Sequence, residues 1–202
     1  MHPNSAFAWT DRPAMLAFVA ETAFAHLFAQ TPEGPMAAHL PVVVGTAGTL
    51  LFHLSRGNRL TPHLAGLTAL ASLADGSAYV SPDWYSIADQ VPTWLYRAVE
   101  IAGPVRRLER EELVAQLDAA SAVMEARLAP KPAWTRAKMS PGKFDAMLGG
   151  ITGFELVPEH WRGTLKFNQH KPRADVVGMI AGLKESGRGE VAALAERYTK
   201  GG

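Results

Sequence analysis

Ala23-Phe-Ala-His-Leu-Phe-Ala-Gln-Thr-Pro-Glu-Gly-Pro-Met-Ala-Ala-His-Leu-Pro-Val-Val-Val44 is the stretch that decides the fold. Two strand-like segments, 23–30 and 36–44, meet through Thr31-Pro-Glu-Gly-Pro35, a composition suited to a tight turn. Pro41 lacks an N–H, so its arm of the hairpin carries a bulge or lies at a sheet edge. Further along, Gly45-Thr-Ala-Gly48 leads into a strand over 49–55. Segments 66–74 and 77–81 flank Asp75-Gly76, which reads as a hairpin turn because glycine tolerates positive φ. A longer strand fits 93–108, bent at Gly103-Pro104, and a last one fits 152–167, broken at Pro158. Such a meander predicts an antiparallel sheet or barrel.

Helices surround these strands. Thr10 or Asp11 caps a first helix with Pro13 just inside, running to about residue 21. Leu113, Leu117, Ala120, Met124 and Leu128 recur at three-to-four spacing, behind Glu109, Glu111 and Glu112, whose charges favour a helix N-terminus. Residues 129–137 contain Pro130 and Pro132 and read as a linker; Ser140-Pro141 then starts a short helix to about residue 149. Pro172 opens a helix carrying Val176, Ile180 and Leu183, stopped near Gly187. The expected class is mainly β with flanking helices (α+β). One domain is expected over 1–202, with a helical segment at 109–150 and a C-terminal helical tail at 172–200.

Bulk composition narrows the chemistry. A chain of 202 residues buries roughly 70 % of its unfolded surface and needs no staples. With no cysteine, disulfides, thiolate catalysis, iron–sulfur clusters and Cys-based zinc sites are excluded. Asp11, Arg12 and Glu21 interrupt the first apolar segment, which therefore does not read as a signal peptide. No run approaches the roughly 20 apolar residues of a membrane helix, so a soluble, cytoplasmic protein is expected. Net charge is only +1, yet residues 1–130 carry 8 Lys/Arg against 12 Asp/Glu, and residues 131–202 carry 12 against 7. The basic C-terminal third suits a phosphate, an acidic partner or DNA, and equally a solvated surface.

The richest stretch is His53-Leu-Ser-Arg-Gly-Asn-Arg-Leu-Thr-Pro-His63, where an apolar strand is expected to give way to a short helix. Ser55, Arg56, Asn58 and Arg59 lie within five residues, and Gly57 lets the backbone turn. Two cations and neutral donors around a turn are what a phosphate dianion needs. The competing reading is a polar loop whose arginines pair with surface carboxylates. A second cluster, Trp161 to Arg173, offers Lys166, Gln169 and Lys171 as donors to an anionic or carbonyl-rich ligand, or as charges that protect a sheet edge. Trp84, Trp94 and Trp161 suit stacking on a flat heterocycle or packing in a core. Of seven histidines, His26 and His39 could oppose each other across the Thr31–Pro35 turn, but no His-Glu-x-x-His spacing occurs and no metal is expected. Neither a Gly-x-Ser-x-Gly elbow, a Walker loop nor a Gly-x-Gly-x-x-Gly fingerprint is present.

Taken as a set, these motifs resemble the PaiB-type family of transcriptional regulators. The resemblance rests on His2-Pro-Asn-Ser-Ala-Phe7 with Asp11, Ala38-His-Leu-Pro41 and His53-Leu-Ser-Arg-Gly-Asn58. It continues through Ala78-Tyr-Val-Ser-Pro-Asp-Trp-Tyr85, Val91-Pro-Thr-Trp-Leu-Tyr96 and Lys166-Phe-Asn-Gln-His-Lys171. It implies an antiparallel, Greek-key-like, FMN-binding split β-barrel that works as a homodimer. Ser55, Arg56, Asn58 and Arg59 would bind the FMN phosphate. Trp94 and Tyr96 would lie near the ring system, with Lys166, Gln169 and Lys171 approaching from the partner or the rim. The resemblance further implies a negative transcriptional regulator, redox-sensing in one version, with a flavin-dependent oxidoreductase as the alternative. No helix-turn-helix is recognisable, and the helix at 111–129 begins acidic and ends at prolines, a poor major-groove reader. DNA as a partner therefore comes from the family's description alone.

Overall fold

The opening hairpin forms where its sequence predicts. In the computed structural model, which describes residues 4–199, β2 (Phe24–Thr31) pairs antiparallel with β3 (Gly34–Pro41), His26 standing opposite His39. Burial alternates strictly along β2: Ala25, Leu27 and Ala29 face the core while Phe24, His26 and Phe28 face out, as one buried sheet face requires. Residues 1–3, the start of the opening motif, and Lys200 lie outside the described residues.

In chain order the elements are β1 (Ala8–Trp9), α1 (Arg12–Thr22), β2, β3, β4 (Val43–Val44) and β5 (Leu50–Ser55), then β6 (Thr68–Val80) and β7 (Thr93–Arg107). After these come α2 (Arg110–Ala126), α3 (Lys143–Leu148), β8 (Ile151–Leu156), β9 (His160–Lys166), α4 (Arg173–Glu185) and α5 (Gly189–Thr199). The strands join in the order β3-β2-β6-β7-β8-β5-β4, with β9 pairing both β1 and β7. The fold is an antiparallel α+β sheet of the split-barrel kind.

Two local expectations need correction. Asp75-Gly76 is no hairpin turn: β6 runs unbroken from Thr68 to Val80, and Gly76 takes φ +61 inside it. A fork of hydrogen bonds from Arg97 pins Asp75 in the strand. The stretch after Ser55 forms successive turns rather than a short helix, because Ser55 and Asn58 side chains bond the local backbone instead. The helix expected from Pro172 does stop near Gly187, which takes φ +76, and α5 continues the helical tail after it.

The chain packs as two compact units. One comprises residues 16–72 and 100–161. Its sheet core includes Leu27, Leu40, Leu50, Phe52, Phe154 and Leu156, with Phe52 stacked on its register partner Phe154. Against that sheet α2 sets Leu113 beside Leu108 and Leu148. The other unit comprises residues up to 15, 73–99 and from 162 onward. Here α4 and α5 close over Ala78, Val80, Leu95 and Phe167. Gly178 and Gly182 let α4 lie directly on Trp84, where a Cβ would stand 2.1 Å from the Trp84 carbonyl oxygen or 2.3 Å from its indole.

Candidate functional site

The expected phosphate corner lies in the unit 16–72/100–161. β5 ends at Ser55, and the chain then reverses through a ladder of local bonds. Asn58 N–H donates to the Ser55 carbonyl (3.0 Å), Gly57 N–H to Ser55 Oγ (3.2 Å) and Leu60 N–H to Asn58 Oδ1 (2.9 Å). Leu60 and Leu64, almost fully buried, pin the turn from beneath. Ser55 and Asn58 thus build the turn with their oxygens, and neither lines the recess that Arg56 reaches. Arg56 is tied to the neighbouring strand, its N–H donating to the Gly150 carbonyl (2.9 Å) and its Nε to that of Ile151 (3.4 Å).

From there Arg56 borders a recess of about 370 Å³ that Arg107 and Arg110 also line, together with Glu109 and Thr152. Arg59, though exposed, does not line it. Sequence reading therefore missed two of the three cations. They follow one another in Arg106-Arg-Leu-Glu-Arg110, a visible basic cluster, but only the strand order β7-β8-β5 carries that cluster to Arg56. Arg106 is otherwise engaged, since Glu155 accepts from its Nε (2.5 Å) and Glu112 from both its Nη atoms. Arg110 meets Asp145 at 2.5 Å in an exposed pair. Such a pair is worth only about 0–1 kcal/mol, so Arg110 can turn to an anion at little cost.

The remaining five expected residues lie in the other unit. Trp94 and Tyr96 are two apart on β7 and so share a face. Trp94 is 56 % exposed and meets Tyr79 edge-on at 6.2 Å. Lys166 ends β9 with Nζ 5.9 Å from the centre of the Phe7 ring. Gln169 spends its amide on the chain: Oε1 accepts from Phe167 N–H, and Nε2 donates to the Ala6 (2.8 Å) and Leu165 (2.7 Å) carbonyls. Lys171 donates to Gln90 Oε1 (2.5 Å) and sits 4.3 Å over the Tyr85 ring. Gln169 and Lys171 come together at a cavity of about 530 Å³ walled by Val176, Val177 and Ile180, with Arg173 at its edge. Lys166, Trp94 and Tyr96 do not line that cavity.

Between these side chains runs a buried brace that sequence reading did not single out. Asn168, at φ +57, donates to the Tyr85 hydroxyl (2.8 Å), and Asp175 accepts from both the N–H and the hydroxyl of Ser86. The Ser86 hydroxyl leads in holding the Asp175 carboxyl below the usual range. Burial pushes the Tyr85 phenol up, partly offset by Asn168. The brace joins two motifs, Ala78–Tyr85 and Lys166–Lys171, which the sequence shows only as separate tracts.

The antiparallel sheet with its flanking helices defines a split-barrel protein. Residues 1–160 match the family described as "Putative FMN-binding domain", and the chain belongs to that family. It is of the PaiB type. The chain is 27 % identical over 194 residues, covering 94 % of itself and 92 % of the relative, to the protease synthase and sporulation protein PAI 2 of Bacillus subtilis (strain 168). Among solved structures it resembles the FAD and heme binding protein of Mycobacterium smegmatis, with TM-score 0.59, 18 % identity and coverage of 79 % and 73 % of the two chains. It also resembles a conserved hypothetical protein of Mycobacterium tuberculosis, with TM-score 0.60, 16 % identity and coverage of 85 % and 95 %. These likenesses establish the shared fold, and FMN is the cofactor that the family assigns. Among the described residues, no helix is long and apolar enough to cross a membrane.

Proposed function

We propose that this protein is a cytoplasmic, homodimeric FMN-binding regulator of the PaiB type, in which Arg56, with Arg107 and Arg110, receives the flavin phosphate. The observation that carries this reading is that Arg56 lines one recess together with Arg107 and Arg110, in a chain of an FMN-binding family. The donor set fits a phosphate ester: three guanidinium groups of fixed fork geometry, the Thr152 hydroxyl, and one carboxylate, Glu109, to be held off. Ser55, Asn58 and Arg59 stand at the same turn but off the recess, where Ser55 and Asn58 hold the backbone that carries Arg56. Bound FMN would supply reversible two-electron chemistry. In the other unit, Trp94 and Tyr96 offer aromatic faces, and Lys171 brings a cation to a cavity walled by Val176, Val177 and Ile180, where Gln169 holds the backbone. Lys166 stands off that cavity with its Nζ over the Phe7 ring, and Arg173 supplies a second cation there.

The family resemblance of the motifs supports the regulatory side, and a change in the flavin's redox state is the signal it would sense. A second reading, a flavin-dependent oxidoreductase without direct DNA contact, is favoured by Lys171: a cation beside an apolar cavity suits the negative charge of a reduced flavin. The absorption spectrum of the purified protein, with mass spectrometry of what it releases, tests the cofactor. FMN should bind far more tightly than riboflavin, and equal affinity would remove the phosphate site. Anaerobic mixing of the FMN-loaded protein with NADH or NADPH separates the two readings, since bleaching with either donor favours the enzyme. Light scattering should give twice the chain mass.

A further inference from the structure

On the exposed face of the β2–β3 hairpin, His26 and His39 are register partners, and their Nδ1 atoms lie 2.7 Å apart. We propose that this pair is a two-histidine site for a divalent transition metal of square-planar preference, copper(II) or nickel(II). The short separation means that one ring presents Nδ1–H to the lone pair of the other, so the two nitrogens face each other and a rotation of each ring turns both toward a common point beside the pair. A metal bound to imidazole at about 2.0–2.1 Å needs its two nitrogens about 2.9 Å apart at a right angle, and about 3.4 Å apart at a tetrahedral angle. The pair stands within a few tenths of an ångström of the first arrangement. Copper(II) and nickel(II) favour tetragonal nitrogen sites, whereas zinc prefers the tetrahedral one.

The donating ring moves its proton from Nδ1 to Nε2, and both imidazoles coordinate in the neutral form. The hairpin makes the geometry stiff. Ala25, Leu27, Ala38 and Leu40 anchor its inner face, and the Phe24 ring abuts His26 edge-on at 6.4 Å. On β6, Ser72 is the register partner of His26 and offers a hydroxyl on the same face to a metal-bound water. Among the described residues no third His, Asp or Glu gathers with the pair, so water or small anions complete the coordination and the ion is exchangeable.

The test uses the full untagged chain, with His2→Gln in every protein compared so that the His2 imidazole does not compete. Copper(II) is titrated by calorimetry, and the bound ion is read by electron paramagnetic resonance. One ion per chain should bind, with splitting from two equivalent nitrogens, and His26→Gln or His39→Gln should each weaken binding at least tenfold. Unchanged affinity in both variants, or a signal lacking two-nitrogen splitting, would overturn the site. Both side chains are exposed, so the variants should fold. If either does not, nickel(II)-induced broadening of amide resonances in the parent decides: loss centred on residues 26 and 39 supports the site, and loss centred elsewhere refutes it.

Discussion

Arg97 grips Asp75 by two parallel hydrogen bonds, Nε to Oδ1 at 2.6 Å and Nη2 to Oδ2 at 2.8 Å. Arg97 is buried on β7, and its Nη1 also reaches the Tyr198 hydroxyl of α5 at 3.4 Å. Asp75 chiefly, and Tyr198 after it, raise the guanidinium above its ordinary range against the cost of burial. A cation so placed is tolerated because its donors are filled.

Removing one member of such a pair leaves the other charge stranded. Asp75→Ala should lower the unfolding free energy by about 3 kcal/mol, less than a fully buried pair would lose at the upper end because Asp75 is partly open to water. Asp75→Asn should lose less. Urea unfolding measures both, as a lower midpoint at unchanged slope; an unmoved midpoint for Asp75→Ala would mean that Arg97 finds another counter-charge.

For the phosphate recess the two arginines of the turn should behave differently. Arg56→Ala should weaken FMN by about 10–100-fold, the worth of a charge-assisted bond of roughly 1.5–3 kcal/mol. Arg59→Ala, off the recess, should change it by less than about threefold, in the range of an exposed charge. Riboflavin, which has no phosphate, should bind all three proteins alike. Flavin fluorescence titration reads every arm, and a parallel loss of riboflavin affinity in Arg56→Ala would place Arg56 against the ring instead.

Acid titration should expose the network on β7. Arg106 first, and the Glu109 N–H second, hold the Glu112 carboxyl down at about 2 against an ordinary 4.5. Because this carboxylate is depressed in the native state, the unfolded chain binds the extra proton between those values. Its stabilisation is complete above about 4.5 and disappears as pH falls through about 2. Urea midpoints of the wild type and Glu112→Gln should therefore differ at neutral pH and converge near pH 2. A gap that persists in acid would assign the difference to packing.

Gly178→Ala sets two effects against each other. Alanine favours a helix interior by about 1 kcal/mol over glycine. Here its Cβ would lie 2.1 Å from a backbone oxygen, which cannot swing away as a side chain can. Overpacking should win, with a net loss of about 1–3 kcal/mol. Thermal unfolding should show a lower Tm, and a higher one would show that α4 can lift off Trp84.

Much of the architecture was legible. The β2–β3 hairpin, the opposition of His26 and His39, the long strand through Gly103-Pro104 and the cap of α1 all follow from local chemistry. Elsewhere the deciding partner is distant in sequence. Asp75-Gly76 carries the residues of a turn, yet Arg97, twenty-two positions on, holds it extended. The recess at Arg56 depends on Arg107 and Arg110, brought near by the strand order. Gln169 looks like a ligand donor until Ala6, at the opposite end of the chain, takes its amide. Local propensity cannot register such pairings.

The family's shared region stops at residue 160, but the interior does not. Phe167, Met179, Leu183, Ala192 and Ala195, all beyond that point, have no accessible surface, and they cover Ala78, Val80 and Leu95 from within the match. An expression fragment trimmed to the homologous segment would thus present a greasy, half-built face to water and lose the hydrogen-bonding mates of Tyr85 and Ser86. Boundaries for any recombinant version belong after α5, where the last helix has done its sealing.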